Sequence, residues 1–78
     1  MNGRATMLSS SERYIVQKGS KFLMGCPYDD FALVRMSDHK YDGFQMKEFN
    51  LAIRIAKAIG GKVMVLNRSN GELSGGWK

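Results

Sequence analysis

The sequence predicts an α+β domain in which one amphipathic helix packs across a mainly antiparallel sheet of three to five strands. Three observations predict it. One stretch, Lys47 to Ile59, has helical periodicity and is closed by Gly60-Gly61. Runs rich in β-branched and aromatic residues lie on both sides of that stretch, and turn residues separate the runs. The order reads β-β-β-α-β, with a short final strand. At 78 residues the chain has room for one domain. We assign it to residues 12–78, preceded by a flexible arm over residues 1–11, where Gly, Ser, Thr and Asn dominate and no periodicity is present. Met7, inside that arm, offers a second translational start.

The elements follow in order. Arg13-Tyr14-Ile15-Val16-Gln17 reads as a strand, Lys18-Gly19-Ser20 as a turn, and Lys21-Phe22-Leu23-Met24 as the returning strand. Gly25-Cys26-Pro27 ends it, because proline has no N–H for a ladder. Phe31 to Met36 is the third strand, followed by a polar loop from Ser37 to Gly43. In the helix, Phe49, Ala52, Ile53, Ala56 and Ile59 share one stripe and are expected to face the sheet. Glu48 is expected in its first turn, where a negative charge suits the helix dipole. Lys62 to Asn67 is a buried type of strand, and Asn70-Gly71 folds Glu72 to Trp77 back as a last one.

Composition narrows the function classes. Hydrophobic residues make up 44% and charged residues 24%, as in folded globular domains. No apolar run approaches the ~20 residues that span a bilayer, and the first residues lack the apolar centre of a signal peptide. A lone thiol suits a reducing compartment, so the expected location is the cytoplasm, in a host cell if the chain is phage-encoded. The net charge is +5, distributed as +3 over residues 1–25, −2 over residues 26–45 and +4 over residues 46–78. A basic balance of this kind favours acidic partners.

Catalytic and metal chemistry find little support. Cys26 is the one cysteine and His39 the one histidine, which argues against a disulfide, a His/Cys zinc site, or a nucleophile–base pair with recognisable spacing. Gly60-Gly61-Lys62 and Gly75-Gly76-Trp77-Lys78 join glycines to lysine, but neither opens a helix after a strand as a phosphate cradle does. The four aspartates Asp29, Asp30, Asp38 and Asp42 lack calcium-loop spacing. We therefore expect no enzyme activity and no cofactor.

Two surfaces remain. Lys47, Asn50, Arg54 and Lys57 fall on the polar side of the predicted helix, and Lys62 follows it. Together they form a candidate contact surface for nucleic acid or another acidic partner. Leu51 and Ile55 carry the apolar surface of the helix beyond the arc a sheet covers, and Trp77 stands near the chain's end. These three form a candidate protein-interaction patch. A two-fold homodimer through that helix edge would also cover them.

The run Ala52-Ile53-Arg54-Ile55-Ala56-Lys57-Ala58-Ile59-Gly60-Gly61-Lys62-Val63, with Asn67, Asn70-Gly71-Glu72 and the earlier Tyr14-Ile15-Val16 and Phe22-Leu23, resembles small orphan accessory proteins of bacteriophages and prophages of Gram-positive bacteria. The likeness covers about 60 residues in pattern. It implies a role in binding host replication, transcription or defence machinery, and it carries over no site residue. The expected function is thus a non-catalytic accessory protein that binds a host macromolecule, a protein above all. The alternative is a small basic nucleic-acid-binding module.

Overall fold

The computed structural model describes residues 8–25 and 35–77. Its strands are β1 (Glu12–Lys18), β2 (Lys21–Gly25), β3 (Arg35–Ser37), β4 (Lys62–Asn67) and β5 (Leu73–Trp77), and its helix is α1 (Phe49–Ile59). They form one antiparallel sheet in the order β3-β2-β1-β4-β5, with α1 packed on one face. The α+β class and the single helix on an antiparallel sheet are as the sequence predicts. Of the expected third strand, residues 31–34 lie outside the described residues, and the paired segment continues to Ser37. Cys26 and Pro27 also lie outside them.

Alternation along β1 divides the core. Tyr14 and Val16 face α1 with their cross-strand partners Val65 and Val63, whereas Ile15 faces the other way with Met64. The larger cluster contains Tyr14, Val16, Leu23, Met46, Ala52, Ile55, Ala56, Val63 and Val65. A smaller one, Ile15, Phe22 and Leu66 flanked by Met64 and Leu73, lies on the face away from the helix. The helix-on-sheet packing expected from the sequence therefore accounts for one of two buried faces. Both faces of β1 are buried, and Tyr14, Ile15 and Val16 are each at most 1% exposed.

A 3-10 turn, Lys40–Asp42, covers part of the second face. Gly43, just after it, lies against Ile15: a Cβ there would meet the Lys40 carbonyl at 3.1 Å and Ile15 Cγ2 at 3.2 Å. Beyond Gly43 the chain passes through the sheet. β1 and β2 pair only at Gln17–Phe22 and Lys18–Lys21. Past that point Phe44 N–H donates to the Leu23 carbonyl (2.7 Å), and Met46 exchanges both backbone bonds with Tyr14. Residues 44–46 thus fill the fork between the two strands. Buried backbone polar groups need partners, and this wedge supplies them where the strands part. The crossing delivers Phe44 and Met46 to the helix side.

This crossing also shortens the helix. Met46 is held in the bridge to Tyr14, and Glu48 is extended at φ −103°, ψ 120°. Helical dihedrals begin at Phe49, so Lys47 lies outside α1 and Glu48 is its N-cap, not a first-turn residue. The end is as expected, with Gly60 left-handed at φ 76°. The buried face is centred on Ala52, Ile55 and Ala56, with Phe49, Leu51, Ile53 and Ile59 flanking it. Two alanines let the helix approach the sheet, and Ile55 fills the space beside them. Burying an Ile side chain contributes roughly 1.5–3 kcal/mol.

Register shifts adjust the pairing of both outer strands, with Met24 of β2 the extra residue beside β3. Register shifts between Val63 and Met64, which pair with Trp77 and Gly75, so Gly76 is the extra residue on β5. Without it, strict alternation would turn Trp77 away from the helix. With it, Trp77 meets Phe49 edge-on at 5.6 Å, and Phe49 in turn meets Tyr14 edge-on at 5.5 Å. Residues 8–11, the end of the segment read as an arm, form a turn fastened to the sheet. Glu12 N–H donates to the Ser9 carbonyl, Arg68 N–H donates to the Ser11 carbonyl, and Leu8 packs on the core. Residues 1–7 lie outside the described residues.

Candidate functional site

The polar side of α1 is built as its periodicity requires. Asn50, Arg54 and Lys57 are exposed, at three- and four-residue spacings that place them on one side opposite Ala52, Ile55 and Ala56. Lys57 lies in the last turn, where a cation suits the helix dipole. Among the described residues the one ion pair is Lys21–Asp38 (2.8 Å), so neither Arg54 nor Lys57 is neutralised by a carboxylate. That pair lies on the β2–β3 side, where the Lys21 ammonium, by hydrogen bond and by charge, holds the Asp38 carboxyl below its ordinary range.

Two of the five residues expected in the basic surface stand elsewhere. Lys47 precedes the helix and lines a depression of about 350 Å³ with Leu8, Ser9, Ser10 and Arg13. Lys62, the first residue of β4, pairs with Gln17 and so faces away from α1. It lines a depression of about 230 Å³ with Gln17, Lys18, Gly19, Gly60 and Gly61. The sheet lies between Lys62 and the outer face of the helix. The expected single stripe thus divides into a helical group, a group at the Lys47 end, and Lys62 apart from both.

The Lys47 end holds two arginines outside the basic surface expected from the sequence. Arg13 Nη1 donates to the carbonyls of Ser10 (3.0 Å) and Glu12 (2.6 Å). Arg68 Nη2 donates to the same Ser10 carbonyl (3.3 Å), and its Nη1 to Gln45 Oε1 (3.4 Å). One carbonyl oxygen therefore gathers two guanidinium groups. No carboxylate pairs with either among the described residues. Glu12, the adjacent acid, accepts from the Ser9 backbone N–H instead.

Of the expected protein-interaction patch, Ile55 is not available at the surface. Ile55 is 0% exposed and is a core residue, because the helix turns further toward it than the Phe49–Ile53 stripe implied. Trp77 is half-buried against Phe49 through the β5 bulge, and Leu51 is half-buried against the main cluster. A dimer built on these three residues would have to reopen the core at Ile55. The large exposed apolar side chains among the described residues are Met24 and Tyr41. Tyr41 carries Lys40 Nζ over its ring at 5.9 Å.

His39 is exposed beside the 3-10 turn, and no group of three His, Cys, Asp or Glu side chains among the described residues could hold a metal. No described helix is long and apolar enough to cross a membrane. No family model, curated protein or solved structure matches the chain.

Proposed function

We propose that the chain is a non-catalytic nucleic-acid-binding module that lays the outer face of α1 and the Lys47 end of the sheet against a phosphate backbone. One observation carries this reading: the cations of that surface, Arg13, Lys47, Arg54, Lys57 and Arg68, have no carboxylate partner among the described residues. Lys18, Arg35, Lys40 and Lys62 are likewise without one, Lys21–Asp38 being the one ion pair among the described residues; what sets the proposed surface apart is that Arg13 and Arg68 share the Ser10 carbonyl and that Arg13 and Lys47 line one depression. Clustered, unneutralised cations suit a polyanion, which gains affinity by releasing counterions. A backbone reader needs no deep cleft, because phosphate contacts position a module without reading bases. The reading agrees with the phage-accessory class that the sequence resembles, with host nucleic acid as the macromolecule bound. The protein-binding form of that class loses support, since Ile55 and Trp77 are used inside the fold.

The test is fluorescence anisotropy of labelled duplex and single-stranded oligonucleotides over a salt series. Affinity should fall linearly on a log–log plot, with a slope of about −3 to −5 on duplex, for roughly four or five phosphates neutralised. Absence of binding to either form at about 50 mM salt would remove the reading, since electrostatic binding is strong there.

A further inference from the structure

We infer that Arg13 and Lys47, with Arg68 beside them, form a seat for a single phosphate group, distinct from the helix face in that the Ser10 carbonyl draws the two guanidinium groups together before any ligand arrives. The fold collects these three cations from separate segments. Arg13 comes from β1, Lys47 from the segment after the Tyr14–Met46 bridge, and Arg68 from the residue after β4. One step from that bridge, Arg13 and Lys47 line the same depression. Like charges placed together across a ladder oppose folding. Here nothing described offsets them, because Glu12 is turned to the Ser9 amide and neither Glu12 nor Glu48 lines the depression.

The hydrogen bonds already made are what orient the seat. Arg13 spends Nη1 on the Ser10 and Glu12 carbonyls, which leaves its Nε–H and Nη2 edge uncommitted among the described residues. Arg68 makes two long bonds, to the Ser10 carbonyl at 3.3 Å and to Gln45 Oε1 at 3.4 Å, and its Nε–H remains available. A guanidinium already drawn to a carbonyl loses less freedom when it takes up an anion than a free one, and its fork matches phosphate oxygens. The Lys47 ammonium adds a point charge at the same depression. The hydroxyl of Ser9, bonded to that of Ser11 at 3.3 Å, and the Ser10 side chain provide small polar walls. The ligand class is a phosphate group. The physiological source rests on the nucleic-acid reading above, as one phosphate of the bound strand, while the seat itself is testable without it.

Two measurements separate the claims. In the first, the wild-type protein is titrated with inorganic phosphate at constant ionic strength, with chloride as control, and the arginine Nε–H resonances are followed by NMR. Arg13 and Arg68 should shift and saturate while Arg54 does not. Equal drift of all three, or no shift, overturns the seat. In the second, oligonucleotide affinity is compared between wild type and the Arg13→Lys/Arg68→Lys protein, after circular dichroism has shown both folded. Lysines keep the charge and lose the fork, so affinity should fall about tenfold with the salt slope nearly unchanged. Unchanged affinity overturns the seat and leaves the nucleic-acid reading standing. Saturating phosphate shifts with no oligonucleotide binding keep the seat and remove the nucleic-acid reading.

Discussion

Tyr14 and Met46 exchange both backbone hydrogen bonds, at 2.8 and 2.9 Å, in the fork where β1 leaves β2. This pair is the point at which the chain passes from the 3-10 turn on one face of the sheet to α1 on the other. The passage depends on Gly43, whose missing side chain lets the backbone lie on Ile15. Gly43→Ala should cost about 1–3 kcal/mol, the usual range for overpacking a tight site. Urea unfolding followed by circular dichroism checks it, and wild-type stability would show that the crossing can relax.

Gly75 should be as sensitive for another reason. It is left-handed at φ 92°, and the Trp77 ring occupies the space where a Cβ would project. Gly75→Ala would strain the backbone and displace the ring from Phe49. Trp77 is the one tryptophan, so the displacement is read directly as a red shift of its emission. A loss of about 1–3 kcal/mol should accompany it.

Ile55 and Leu51, four residues apart on α1, should respond differently to truncation. Ile55→Ala removes a fully buried side chain beside Ala52 and Ala56, and should cost about 2–5 kcal/mol. Leu51→Ala trims a half-buried flank, and about 1 kcal/mol is expected from its smaller buried area. Equal losses in urea titrations would mean that the helix is rotated from the orientation described.

Lys62→Ala and Arg54→Ala separate the two sides of the sheet. Arg54→Ala should weaken oligonucleotide binding and reduce the salt slope by about 1. Lys62 faces away from the helix, so Lys62→Ala should leave both quantities close to wild type. A larger effect at Lys62 would place the nucleic acid on the opposite face.

The Lys21–Asp38 pair predicts a small pH effect of definite sign. Because Lys21 holds the folded-state Asp38 carboxyl below its ordinary range, the contribution is present above the unfolded-state value and disappears as pH falls through the lowered one. Both side chains are more than half exposed, so salt should suppress it. Asp38→Asn should therefore lower the melting temperature slightly at neutral pH and low salt, and not at about pH 2. An equal loss at both pH values would assign the effect to the hydrogen bond instead of the charge.

Sequence reasoning reached the elements whose cause is local. The β1–β2 turn at Gly19, the Gly60 cap and the strand Lys62–Asn67 are set by neighbouring residues and were legible. The side of α1 that meets the sheet was not. Phe49-Ile53 and Leu51-Ile55 both satisfy helical spacing, and the choice is made by contact with β1 and β4. Trp77 was placed in a surface patch for its nearness to the chain's end, and the extra Gly76 that turns it onto Phe49 leaves no local signal. Arg13 and Arg68 meet only because β1 and β4 are neighbours, which no local pattern encodes. For Lys62 a usable signal did exist. With Val63 taken as core-facing, the residue before it must face the other way.

The crossing at residues 44–46 also bears on how the chain reaches its fold. The β1–β2 and β4–β5 hairpins close over short turns, and such hairpins form in ~1–10 μs. Joining β1 to β4, in the register Glu12–Asn67 to Gln17–Lys62, closes a much longer loop. If that union came first, with the 3-10 turn still on the helix side, the chain would have to be drawn back through a sheet already formed. A route that lays Phe44 and Met46 into the fork beforehand avoids that step, and on that route the crossing is part of the folding nucleus. Gly43→Ala should then slow refolding in stopped-flow experiments more than it speeds unfolding, and the opposite partition would mean that the fork is filled last.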